Sequence, residues 1–264
     1  MDIRRSVQDV LSVCRLRCIK VMEAEARSCR SKTWSWASTS WGTLVQSPDG
    51  NVYKLVGVCT DTGVGWSVGM PNKQSATVLK AVQVCVARIR LLYVHKDRDM
   101  VTVRFHSDED KSFEGAVAEY ARERAWLKTT TGGYDSNRNA VVERRNGKLQ
   151  AGHRALLLGA TGGRLVYEEL WDVAMEHMAD IANHLPEAGH RTPAMIAGGE
   201  ELQIEDMMEA FGAQAYYYEA EDRRHVGSKQ NDPPGRLGMY VGRSQVINGG
   251  HRIVPLSWCG KTQQ

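Results

Sequence analysis

The sequence predicts an α/β fold, a mixed sheet flanked by helices, with a small β-rich appendage at its C-terminal end. Three patterns carry that expectation. Apolar and β-branched runs of strand length stand at 33–45, 52–59, 65–70 and 101–105. Stretches with apolar residues at helical spacing lie between and after them, at 75–92, 113–121, 139–158 and 165–185. From residue 208 that spacing gives way to short strand-like runs between polar loops.

Composition sets the outer limits. With 264 residues, 42 % of them hydrophobic and 25 % charged, the chain can bury one ordinary core plus appendages, which excludes a disordered protein. A net charge of only +3 means that any phosphate-binding surface must be a local patch. No apolar run approaches the roughly 18 residues that a membrane span needs. The six cysteines show no paired framework and follow no signal peptide, so a reducing compartment is expected, with nucleus and cytoplasm both left open.

Residues 1–32 read as a basic amphipathic helix, with Val7, Leu11, Cys14 and Cys18 on one stripe among Arg4, Arg5, Arg15 and Arg17. Cys14, Cys18 and Cys29 have no histidine before His95, so the four ligands of a structural zinc site are missing and zinc is not expected. Trp34, Trp36 and Trp41, all within the first strand expected over 33–45, could stack bases, although period-two alternation favours one strand face packed on helices. Ser47-Pro48-Asp49-Gly50 is a turn by composition, and strands over Val52–Cys59 and Gly65–Met70 follow.

Ser75 is the expected N-cap of a helix reaching Leu92, with Val78, Val82, Cys85 and Val86 on its buried stripe. A strand from Val101 to Phe105 then ends in His106-Ser107-Asp108. Ser112 is expected to cap the next helix, a short strand is expected over 125–128, and 129–139 is too polar and too rich in Gly and Asn to pack. The helix from Asn139 to Leu158 presents Glu143, Arg144, Arg145, Lys148, His153 and Arg154. On the next helix His177 and His184 stand seven apart with no third ligand at hand, and read as core or surface histidines. The domains expected are a helical segment at 1–32, a core at 33–185, a linker at 186–207 and a β-rich module at 208–264.

Asp108 and Glu143 are the chemically loaded pair. A strand end and a helix start present two carboxylates, the hard ligands that hold the divalent ions used in phosphodiester chemistry.

Phe105-His106-Ser107-Asp108, followed by Ser112-Phe113-Glu114, and Asn139-Ala140-Val141-Val142-Glu143-Arg144-Arg145-Asn146 resemble the integrase core of retrotransposons, most closely the Copia type. Leu170-Trp171-Asp172-Val173-Ala174, His190-Arg191-Thr192-Pro193, Phe211–Tyr216 and Gly238–Ser244 are similar to later marks of the same family. The resemblance implies an RNase H-like fold and a DDE site for metal-dependent DNA strand transfer. Asp108 and Glu143 would be its second and third ligands to Mg2+ or Mn2+. DNA would be the partner and a homo-oligomer the working form, with no membrane involved.

The loop before the second motif makes Tyr134 and Arg138 candidate DNA contacts by stacking and through phosphate, beside an ordinary solvated loop as the other reading. Arg144, Arg145 and Lys148 are candidate phosphate contacts, with the wet face of an amphipathic helix as the alternative. The first strand departs from the family. Trp36–Leu44 is the matching stretch, and aligning on Gly42 puts Thr39 where the first aspartate belongs. Asp61 matches a different acidic position, and could complete the site only if the local geometry differs from the family's. A catalytically inactive remnant that binds DNA or a protein is therefore the alternative function.

Overall fold

The computed structural model describes residues 32–39, 45–92, 103–107, 110–130, 136–163, 167–186, 191–198, 209–219, 235–244, 247 and 250–256. The helix expected over 1–32 lies almost wholly outside them. Strands β1 (Lys32–Thr39), β2 (Tyr53–Cys59), β3 (Gly65–Met70), β4 (Val103–Ser107) and β5 (Leu127–Thr130) form one sheet in the order β3-β2-β1-β4-β5. β1, β4 and β5 run parallel, while β2 and β3 are antiparallel to their neighbours. Helices α1 (Ser75–Leu92), α2 (Ala116–Glu123), α3 (Ser136–Ala160), α4 (Trp171–His184) and α5 (Pro193–Ala197) complete the core. This is the mixed, helix-flanked sheet of the RNase H-like expectation.

β2 shows why helices must cover both faces. Leu55 and Cys59 point into a cluster with Val78, Val82 and Val86 of α1 and with Phe105 and Phe113. Val56 and Val58 point the other way, onto Val142 and Leu149 of α3 and Trp171 and Met175 of α4. A strand covered on both faces is apolar at nearly every position, which is how β2 reads in the sequence. Cys59 and Cys85 are buried free thiols, and burial pushes the Cys85 thiol up to about 12, so it stays protonated.

The C-terminal appendage is a three-stranded antiparallel sheet, β6 (Gln214–Tyr218), β7 (Gly235–Arg243) and β8 (His251–Pro255). Met239 and Val241 pack with Phe211 onto Leu157 of α3 and Val173 of α4. Two ion pairs fasten it to α4: Arg243 to Asp180, with contacts of 3.0 and 3.1 Å, and Arg252 to Glu176 at 2.5 Å. Gly212 lies so close to α3 that a Cβ there would fall 2.2 Å from the Ala160 methyl, and its φ of +88° suits glycine.

Several local expectations shift. Ser75 opens α1 as its first helical residue, and its hydroxyl bonds across to α2, donating to the Glu114 carbonyl and accepting from the Ala116 N–H at 3.1 Å. Asp110, and not Ser112, caps the turn after β4, since its carboxylate accepts from the Ser112 N–H at 2.9 Å. The expected linker contains α5, whose Thr192 hydroxyl accepts from the Met195 N–H at 3.1 Å and whose Ala197 joins the α1 cluster.

His177, on α4, is stacked on Phe211 with ring centroids 5.6 Å apart and stands edge-on to Tyr240 at 6.0 Å. Burial lowers its pKa below 6.5 and outweighs the opposing pull of Asp180, the next largest influence, while Arg243 and Arg252 add smaller downward pushes. The unfolded chain therefore binds this proton more readily, and stability is lost as pH falls from 6.5 through the lower folded value. Thermal melts taken against pH should show that loss, and it should shrink in His177→Phe; an unchanged acid limb in the variant would assign the effect elsewhere.

Candidate functional site

The site is built on β4 and α3. Phe105 anchors β4 by packing edge-on against Phe113 at 5.8 Å, and His106 Nδ1 shares a 2.9 Å hydrogen bond with the Thr129 hydroxyl of β5. Parallel register sets Ser107 beside Trp36 of β1. Asp108 and Glu109 lie outside the described residues. The chain is anchored again at Asp110, which caps its turn and takes an ion pair from Lys73 at 3.5 Å. The segment carrying Asp108 thus leaves a buried strand and enters a capped turn.

α3 lies across β1 and β2. Val142, Arg145, Asn146, Leu149, His153 and Leu157 form its buried stripe, while Glu143, Arg144, Lys148 and Arg154 are exposed. Arg144 and Lys148 stand four apart on one face. The Arg144 Nε–H donates back to the Ala140 carbonyl at 3.2 Å. Among the described residues Glu143 enters no ion pair or hydrogen bond. Arg138 belongs to the first turn of α3, and Tyr134 lies outside the described residues.

Arg145 departs from its expected place on the phosphate face. It is 7 % exposed and points into the protein, donating to Asn183 Oδ1 at 2.6 Å and to the Ala179 and Ala182 carbonyls at 3.4 and 3.5 Å. Two residues along a helix is a turn of about 200°, so Arg145 faces inward because Glu143 faces outward. The sequence held a signal for this, since Arg145 falls on the stripe of Val142 and Leu149. Asn183, fully buried on the stripe of Met175 and Ala179, was missed in the same way.

Strand register sets Asp61 apart from the Ser107 end of β4. β2 is antiparallel to β1, so Cys59 pairs with Trp34 and the turn carrying Asp61 follows at the end of the sheet where β1 begins. Ser107 is level with Trp36, and β4 runs on toward Asp108 in the opposite direction. Gly57 to Cys59 alone is about 7 Å of strand, before the turn adds more, whereas ligand oxygens sit about 2.0–2.6 Å from a shared ion. Thr39 is at the Ser107 end of the sheet, three residues beyond Trp36 and paired with Lys54.

Among the described residues no three His, Cys, Asp or Glu side chains gather as a metal cluster. The donor chemistry of the individual residues nevertheless fits a divalent ion. Glu143 is an exposed carboxylate, a hard donor, with no ion pair or hydrogen bond among the described residues, beside an arginine that bonds elsewhere.

No family model matches the sequence, and no curated protein matches it. Solved structures similar to it include the catalytic core domain of BIV integrase, at 21 % identity and a TM-score of 0.46, covering 63 % of this chain and 93 % of that one. The HTLV-2 integrase catalytic core domain in complex with magnesium is similar in its trimeric form at 16 % identity and a TM-score of 0.46, and in its dimeric form at 17 % and 0.45. Both cover 63 % of this chain and 96 % of that one. The structural neighbours are thus retroviral integrase catalytic cores. At TM-scores below 0.5 these likenesses bring no chemistry to this chain. Among the described residues no helix is long and apolar enough to cross a membrane.

Proposed function

We propose that this chain is an integrase-like, nucleic-acid-binding protein of Copia-type retrotransposon origin, with its core at 33–185 and a C-terminal module at 208–264. Its reaction is metal-dependent DNA strand transfer. The observation that carries the reading is the arrangement of parallel β1 and β4, with β4 leading into Asp108, beneath a helix whose outer face carries Glu143, Arg144 and Lys148.

Asp108 and Glu143 would hold Mg2+ or Mn2+, which when bound neutralises charge on the oxygens exchanged at a phosphodiester. The rest falls to the chain. Arg144 and Lys148 hold the DNA backbone by charge, Arg138 and Tyr134 approach it from the start of α3 and the loop before it, and α3 keeps these groups on one rigid element. A homo-oligomer is the proposed working form.

The second reading, a non-catalytic DNA-binding or protein-interaction remnant, is favoured by β1. Beyond Trp36 that strand offers Ala37, Ser38 and Thr39, none a carboxylate, and Asp61 lies in the turn after β2, at the end of the sheet where β1 begins. Strand transfer of short duplex ends in Mn2+ separates the two. The unaltered protein is expected to bind the duplex and join it poorly, and Thr39→Asp to raise joining by about tenfold or more by supplying the missing charge. Nicked but unjoined products would make the chemistry nuclease. Joining in neither protein, with DNA still bound, would favour the remnant, and loss of DNA binding altogether would sink the integrase reading.

A further inference from the structure

Arg145 ties α3 to the end of α4. Its guanidinium reaches the Ala179 and Ala182 carbonyls and Asn183 Oδ1, within the last two turns of a helix that ends at His184. A buried cation there meets the negative end of the helix dipole, which offsets its desolvation. Asn183 is itself held from the sheet: its Oδ1 accepts from the Gly65 N–H and its amide donates to the Gly65 carbonyl, both at 2.9 Å. Gly65 also leaves room for the guanidinium, since a Cβ there would sit 2.9 Å from Arg145 Nε and 3.2 Å from the Gly57 carbonyl. α3 is thereby keyed to α4 and to β3 through one planar, forked side chain.

The geometry points to Arg145 as a positioning residue for Glu143, locking the rotation of α3 about its axis and so holding the free carboxylate two residues away at a constant aim toward the metal. The fork meets its acceptors in one rotation of α3. A turn of one residue, about 100°, would pull it from Asn183 and carry Glu143 away from its place on the outer face. Hydrophobic contacts of Val142 and Leu149 tolerate small rotations far better, because they have no direction. The inference rests on the proposed role of Glu143 as a metal ligand.

Its test is calorimetric titration with Mn2+ alone, well below each variant's Tm, on the full chain and on Glu143→Gln, Arg145→Met and Gly65→Ala. Gly65→Ala keeps arginine at position 145 and shifts its guanidinium by the steric contact, so it decides the matter if Arg145→Met does not fold. Arg145→Met and Gly65→Ala are each expected to weaken Mn2+ by about tenfold, the usual scale for a lost orienting partner. Added to Glu143→Gln, Gly65→Ala should cost nothing further, since both act through one carboxylate. A lowered Tm with Mn2+ affinity unchanged in Gly65→Ala would make Arg145 a stability residue alone and overturn the inference. Unchanged affinity in Glu143→Gln would have a different signature: the metal reading itself fails, and the inference falls with it.

Discussion

Strand transfer by Glu143→Gln should fall by about three orders of magnitude, measured against whatever joining the parent protein or Thr39→Asp shows, while duplex affinity stays within about twofold. Glutamine keeps the length and shape of the side chain and removes its charge. Glu143 is exposed and joins no described ion pair, so the substitution should leave stability within about 0.5 kcal/mol. DNA is expected to be held by the neighbouring cations Arg144 and Lys148, whose charge the change does not touch. Fluorescence anisotropy of a labelled duplex and gel analysis of joined ends read the two effects separately. A Glu143→Gln protein that joins DNA as its parent does would remove Glu143 from the chemistry. One that loses DNA binding would place it in the interface instead.

The second large effect is expected far from solvent. Lys54 is 2 % exposed on β2, with its ammonium 3.3 Å from the Met175 sulfur of α4, and burial first, then Arg154, lowers its pKa from 10.5 to about 8. Holding that proton costs the folded state about 3 kcal/mol at neutral pH. Below pH 8 lysine is charged in both states and the cost is present in full. Between 8 and 10.5 the unfolded chain holds the proton more tightly, so stability rises with pH across that window as the cost is relieved. Lys54→Met should therefore stabilise the protein at pH 7 by about 1–3 kcal/mol, with the gain shrinking toward pH 10.5. Denaturant melts of the two proteins at pH 7 and pH 10 check this, and a destabilised methionine variant at pH 7 would show that the ammonium is well satisfied where it lies.

Lys54 also shows where local reading stops. Its neighbours Leu55, Val56, Val58 and Cys59 mark a strand buried on both faces, yet nothing in the local pattern marks a lysine near the head of that run as buried. Its burial becomes evident once α4 is laid against β2. Arg145 repeats the lesson on a helix. The sequence places it beside Glu143 in a basic motif, and rotation by 3.6 residues per turn sends it to the opposite side. The turn after β4 is a smaller instance, because Ser112 and Asp110 are both good caps and the backbone path decided between them.

By itself the sequence determined the α/β order of elements, the strand that leads into Asp108, the helix that exposes Glu143, Arg144 and Lys148, and a C-terminal β-rich segment. Each is written in spacing along the chain, where side-chain period follows backbone geometry. Tertiary structure decided that Asp61 follows the end of β2 that lies beside the start of β1, away from the Ser107 end of β4, that Arg145 bonds α4, and that the C-terminal sheet is clamped to α4 by Asp180 and Glu176. Those facts depend on strand direction, on register and on which helices meet. They join residues far apart in sequence, and no local pattern carries them.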